Sequence, residues 1–356
     1  MSWKRLFSRA LAADPGRLHF AAHSHHFWPD ASFAGQVEAW EDAAALADLK
    51  WGKVMGPVWA EAQASVAAEL NLPDPATLSF SSNTHDFLIR IVSALPRRPL
   101  RVLATDGEFH SFRRQMARWV ESREVMLETV PAGQFLEVAR RGGHNLIFAS
   151  QVLFNSGTIL DCIDDLAALA SPDGPWVVID GYHGFMAIPT DLSAIADNVF
   201  YLAGGYKYAM AGEGACFLHA PPGFAPRPAI TGWYAEFEDL ALPPAAVGYA
   251  SDGRRFLGST FDPSGLYRFN AVQRMLAAEG LTTASISAHV TALQQQFLSC
   301  DPLAMMTLLN PLTDGPHARF LAFRGENAAA IHDALAAHDV MTDVRGDVLR
   351  IGFAAY

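Results

Sequence analysis

From Thr77 onward the hydrophobic pattern alternates between short, nearly continuous apolar runs and longer segments with helical spacing. Residues 101–105, 145–149, 176–180 and 199–203 are runs of this first kind, and 215–218 is a fifth. Short runs without polar alternation are the mark of parallel strands covered on both faces. Helical segments at 111–120 and 163–170 separate them. The alternation predicts a doubly wound α/β sheet whose ligands bind at the carboxyl ends of the strands.

Flanking segments complete the expectation. Residues 32–70 read as helix, broken at Gly52 and at Gly56-Pro57. Phe87, Leu88, Ile91, Val92 and Leu95 share one helical face, with Ser81, Ser82, Asn83 and Thr84 in the N-cap region. Beyond 260, helices are expected at 261–276, 284–297 and 328–337, with strands at 307–310, 320–323 and 348–351. The expected organisation is an N-terminal segment plus a large domain over 1–260 and a small α+β domain over 261–356.

Composition narrows the function classes. A chain of 356 residues that is 51% hydrophobic and 18% charged buries a large core. Its formal charge of -11 argues against nucleic acid or an anionic membrane surface as partner. The three cysteines, Cys162, Cys216 and Cys300, have neither metal-site spacing nor the number for a disulfide framework, and a reducing cytoplasm is the expected location. No secretory leader and no bilayer-spanning window is read. His19, His23, His25 and His26 crowd a segment that ends at Pro29, but their spacing misses the i, i+4 geometry of a helical metal pair. No metal is expected; a loop beside a pocket is, with His25 as the candidate substrate contact.

The candidate chemistry falls at strand ends. Lys207 follows the run at 199–203 between Gly204-Gly205 and Gly212, Gly214. A lysine held between buried strands loses hydration and keeps enough neutral amine to attack a carbonyl. Asp180 and His183 close the run at 176–180, Gln151 and Asn155 follow that at 145–149, and Phe109 and His110 follow that at 101–105. A buried carboxylate needs a cationic partner, which a protonated pyridine nitrogen supplies. Phe109 offers a flat face for such a ring. The helix N-terminus at Ser82 to Thr84 suits a phosphate. There is neither a strong GxGxxG nor a P-loop. The set matches one cofactor, pyridoxal phosphate (PLP).

These residues also carry a family resemblance. Ser82-Asn83-Thr84 heading a helix, Glu108-Phe109-His110-Ser111, Ser156-Gly157, Asp180-Gly-Tyr-His183, Tyr206-Lys207-Tyr208 with Ala211-Gly212, Thr231-Gly232-Trp233-Tyr234, Gly258-Ser259-Thr260 and the late Arg350-Ile-Gly-Phe stand in that order. The chain resembles fold-type I PLP-dependent enzymes of the class V aminotransferase superfamily, and within it the kynureninase branch. The resemblance implies a mostly parallel seven-stranded sheet, Lys207 as the lysine linked to the cofactor aldehyde, Asp180 on the pyridine nitrogen, His183 beside the ring and Phe109 stacked on it. It implies Asn83, Thr84, Tyr206, Trp233 and Thr260 around the phosphate, some from a neighbouring subunit of a homodimer. Arg350 corresponds to the arginine that grips the substrate α-carboxylate. Where kynureninases carry an Asn-Ser-Leu-Gly stretch, this chain has Ala22-His23-Ser24-His25-His26, which leaves the substrate open.

The leading expectation is therefore hydrolysis of a C–C bond in a β-acyl amino acid, with Lys207 as general base. Class V transamination needs the same core. Cysteine desulfuration is disfavoured, because Cys162 and Cys216 fall in expected core segments and Cys300 in a helical run. A non-catalytic amino-acid or vitamer binder of the same fold is the reading from another class.

Overall fold

The computed structural model describes residues 3–96, 98–236, 246–300 and 303–356. Its centre is a seven-stranded sheet in the order Leu78–Ser81, Cys216–His219, Val199–Gly204, Trp176–Asp180, Leu146–Ser150, Leu100–Thr105, Val125–Val130. The strands from Val199–Gly204 to Val125–Val130 are mutually parallel, and Cys216–His219 runs antiparallel to both of its neighbours. Each apolar run is continuous because both faces are covered. In Trp176–Asp180, Val177 and Ile179 enter the core on one side while Trp176 and Val178 enter the core on the other.

Helix Thr84–Ala94 carries the chain from the edge strand Leu78–Ser81 across to Leu100–Thr105. It buries Phe87, Leu88, Ile91 and Val92, the face expected from their spacing, and Asn83 caps it by accepting from the Asp86 backbone N–H at 2.9 Å. The expected break upstream is also present. Gly56 leaves helical geometry (φ -98°, ψ -107°) ahead of Pro57, and the chain resumes as Trp59–Leu70. Helix Asp30–Leu46 lies close against Ser264–Ala278; a Cβ added at Gly35 would meet the Tyr267 carbonyl oxygen at 2.6 Å. Two strands of the large sheet, Leu78–Ser81 and Val125–Val130, are additions to the sequence reading.

A second, antiparallel sheet follows the order Asp343–Arg345, Val348–Gly352, Phe320–Arg324, Thr307–Leu308. Helices Thr283–Ser299 and Ala328–Ala336 accompany it. The first helix expected beyond 260 starts later, at Ser264, where Asp262 accepts from the Ser264 backbone N–H.

The N-terminal segment is a strap between the two sheets. Leu18–His19 pairs parallel with Val340–Met341. Phe20 donates to the Met341 carbonyl at 2.8 Å, and Gly352 donates back to the Phe20 carbonyl at 2.7 Å. The strap then passes over the carboxyl ends of the large sheet. Among the described residues no helix is long and apolar enough to cross a membrane.

Candidate active site

Four parallel strands end at one cavity of about 300 Å³. Leu100–Thr105 leads to Phe109, Leu146–Ser150 ends in Ser150, Trp176–Asp180 ends in Asp180, and Val199–Gly204 leads to Lys207; all four residues line it. The chain proceeds from Leu100–Thr105 to the edge strand Val125–Val130 and then returns to the opposite side of Leu100–Thr105. Such a reversal opens a crevice at the carboxyl ends of an α/β sheet. The turn after Val199–Gly204 depends on two glycines. A Cβ on Gly204 would sit 2.5 Å from the Tyr182 hydroxyl, and Gly212 holds φ +70° with the Trp28 ring where its side chain would lie.

Lys207 is buried, and its Nζ donates to the His23 carbonyl at 2.7 Å. Burial pushes the amine down to about 7; Arg350 adds to the effect, while Asp343 and Asp180 oppose it. Asp180 accepts the Tyr182 backbone N–H at 2.9 Å and has no ion pair among the described residues. Burial raises its carboxyl to about 6, against the backbone hydrogen bond and Lys207, which lower it. His183 is buried, with Nδ1 unpartnered, and burial holds it well below the ordinary histidine range. Cation and anion therefore share a cavity without engaging each other, and a buried ring nitrogen lacks a partner.

Most of the residues expected from sequence converge here. Lys207, Asp180, Asn83, Thr84, Phe109, His183, Tyr206 and Arg350 line the cavity. Phe109 is partly exposed and meets Phe154 edge-on at 5.3 Å. Three expected residues lie elsewhere. His25 is exposed and outside the lining, its ring 5.7 Å from that of Tyr206. The strap reaches the site by its backbone instead: the His23 carbonyl takes Lys207 and the Ser24 carbonyl takes the Tyr206 hydroxyl. Trp233 stacks on Tyr234 with centroids 4.2 Å apart, and Thr260 lines a separate cleft with Ser82 and Arg90.

Sequence reading left the supporting groups without roles. Glu108 is wholly buried and accepts from the Thr105 hydroxyl (2.6 Å), the Ser150 backbone N–H (3.1 Å) and the Ser150 hydroxyl (2.5 Å). Burial raises its carboxyl to about 7. Ser150 stands opposite Asp180 in the parallel register, so Glu108 ties the ends of two strands beside Asp180 and fixes the start of the Phe109 turn. Asp343 pairs with Arg350 at 2.6 Å and with Arg345 at 3.0 Å. An acid directly before Phe109 was the one available signal for Glu108; His23 meets Lys207 and Asp343 from far along the chain, and Asp343 and Arg345 gain their meaning from Arg350 across a hairpin.

No protein-family model and no curated protein sequence matches the chain. Solved structures do. The cystine C–S lyase C-DES, in a mutant with glycine covalently linked to its PLP cofactor, superposes with a TM-score of 0.82 over 100% of this chain and 95% of its own, at 17% identity. Cysteine desulfurase from Thermococcus onnurineus NA1 gives 0.79 over 100% and 95%, at 16% identity, and the cysteine desulfurase CsdA from Escherichia coli gives 0.74 over 96% and 91%, at 17% identity. The chain has the fold-type I fold of PLP-dependent enzymes. These neighbours are desulfurases and a C–S lyase: the expected fold stands, and the narrower kynureninase branch finds no support among them.

Proposed function

We propose that the chain is a PLP-dependent enzyme acting on an amino acid, with chemistry of the class V aminotransferase type. The observation that carries this reading is that Lys207 and Asp180 line one cavity, the lysine buried and the acid half-buried, with neither neutralised by the other. A structural ion pair would close that gap. An amine and an acid left apart in this way fit a ligand that is an aldehyde at one end and a protonated ring nitrogen at the other.

The residues present fit the cofactor. Thr84 and the N-terminus of helix Thr84–Ala94 would hold the phosphate, with Asn83 keeping the helix capped. Phe109 would cover the ring, Asp180 would accept a hydrogen bond from its nitrogen, and His183 Nδ1 would gain the partner it lacks. PLP, when bound, supplies an electron-withdrawing ring that spreads the charge left at the substrate α-carbon. Lys207 Nζ, which burial brings to titrate at about 7, would take and return the proton at that carbon. Arg350 orients the substrate by its α-carboxylate. In a homodimer, Trp233 and Thr260 would serve the cavity of the partner copy.

Hydrolysis of a β-acyl amino acid gains nothing from the structural relatives, and transamination is preferred. Desulfuration through the chain's own thiol is not supported. Cys162 and Cys216 are buried, with thiols pushed up to about 11 and about 12 by burial, and Cys300 opens on a different cleft. Three free cysteines suit a cytoplasmic enzyme.

The test is to load the protein with PLP, reduce it with borohydride and map the adduct by peptide mass. The adduct is expected on Lys207 and absent from Lys207→Ala. Attachment at another lysine, or no uptake, overturns the reading. Transfer of the amino group from an amino-acid panel to a keto-acid acceptor then marks a transaminase; a C–S lyase releases sulfide or persulfide together with ammonia and a keto acid, and a binder releases nothing.

A further inference from the structure

Arg350, the group proposed to hold the substrate carboxylate, already holds one. Asp343 stands directly opposite it across the antiparallel pair Asp343–Arg345 and Val348–Gly352, both side chains are buried, and Nη2 meets Oδ2 at 2.6 Å. Nη1 donates to the Phe154 carbonyl at 2.5 Å, and Nε is buried without a partner. A carboxylate binds a guanidinium best through two adjacent N–H groups. Asp343 takes up part of that edge. An incoming substrate carboxylate and Asp343 therefore compete for the same cation.

The displaced acid has somewhere to go. Arg345 lies two residues along the same strand, hence on the same face, and its Nη1 is 3.0 Å from Asp343 Oδ1. Its side chain is 45% exposed and lines the cavity, and Nη1 makes all of its hydrogen bonds and ion pairs among the described residues, leaving Nε and Nη2 available. On the other side His23 is wholly buried with both ring nitrogens unpartnered, and its Nε2 is 3.9 Å from Asp343 Oδ2, beyond hydrogen-bond range but near it. A neutral imidazole still has one N–H to donate.

We infer that Asp343 acts as a stand-in for the substrate carboxylate on Arg350 and is handed to Arg345 when substrate binds, so that Arg345 is a positioning residue that assists binding without touching substrate. Charge agrees. Two guanidiniums against one carboxylate leave a single positive charge, and one substrate carboxylate neutralises it. With substrate on Arg350, Arg345 keeps Asp343 paired. The inference rests on Arg350 being the carboxylate site proposed above.

A double-mutant cycle separates a hand-off from direct contact. PLP-loaded wild type, Arg345→Gln, Asp343→Asn and the double variant are titrated by absorbance with the amino acid of a panel that perturbs the cofactor spectrum most, and with its decarboxylated amine. Arg345→Gln is expected to raise Kd for the amino acid about 3- to 10-fold and to leave the amine within about 2-fold. Asp343→Asn is expected to tighten amino-acid binding, and in that background Arg345→Gln should change Kd by less than about 2-fold. An equal loss with and without Asp343 overturns the hand-off in favour of direct contact. An equal loss for the amine shows a merely structural role, and no loss at all also overturns it. Failure of the functional reading is distinguishable, because wild type itself would then take up no PLP or respond to no amino acid. Arg345 is half-exposed and Asn keeps an acceptor toward Arg350, so folding of both single variants is checked by circular dichroism.

Discussion

Lys207 shows how one side chain is made reactive by what surrounds it. An ordinary lysine amine titrates near 10.4, and burial is the largest cause of its fall to about 7 here. Because the charged form is disfavoured, the neutral amine becomes the majority species above about pH 7. Acetic anhydride labelling of the cofactor-free protein, quantified at the Lys207 peptide by mass spectrometry, should therefore rise with a midpoint near pH 7. A midpoint in the ordinary lysine range would remove the electrostatic basis for its role. Asp180, raised to about 6, is the matching case: its charge is costly until a cation arrives.

Among the elements, the strand ends depend on a carboxylate that touches no ligand. Glu108 accepts three hydrogen bonds that join the end of Leu100–Thr105 to the end of Leu146–Ser150. Glu108→Ala leaves the Ser150 N–H and both hydroxyls buried without their acceptor, and should lower stability by about 2–3 kcal/mol in urea unfolding. Unchanged stability would show that the strand ends are held by packing alone. Legibility in sequence followed the same line. Trp176–Asp180 and the face Phe87, Leu88, Ile91, Val92 were readable because their burial follows from local spacing. Val125–Val130 was missed because this edge strand buries only Val125 and mixes in Glu128 and Thr129, so it carries neither the continuous run nor the clean alternation of a strand. Leu78–Ser81 was hidden because its four residues merge with the cap of the next helix. Lys207 and Asp180 stood out as charges ending apolar runs. Asp343 and Arg345 did not, since their meaning depends on Arg350 facing Asp343 across a hairpin and on a cavity built by the other sheet.

For the whole molecule, the positions of Trp233 and Thr260 bear on assembly. Both lie away from the cavity of their own chain, and the proposed function has them serve a second copy. Sedimentation equilibrium should then give twice the chain mass of 38.6 kDa. A monomer would withdraw both residues from the site. The strap adds a constraint on how the enzyme is made. Its Phe20 and its partner Gly352 lie far apart along the chain, yet the same strap supplies the carbonyls that anchor Lys207 and Tyr206. Translation runs from the N-terminus, so a nascent chain that already carries its lysine, its acid and its phosphate-binding helix still lacks a roof. Competence waits until residue 352 has been made, and shorter nascent polypeptides are silent.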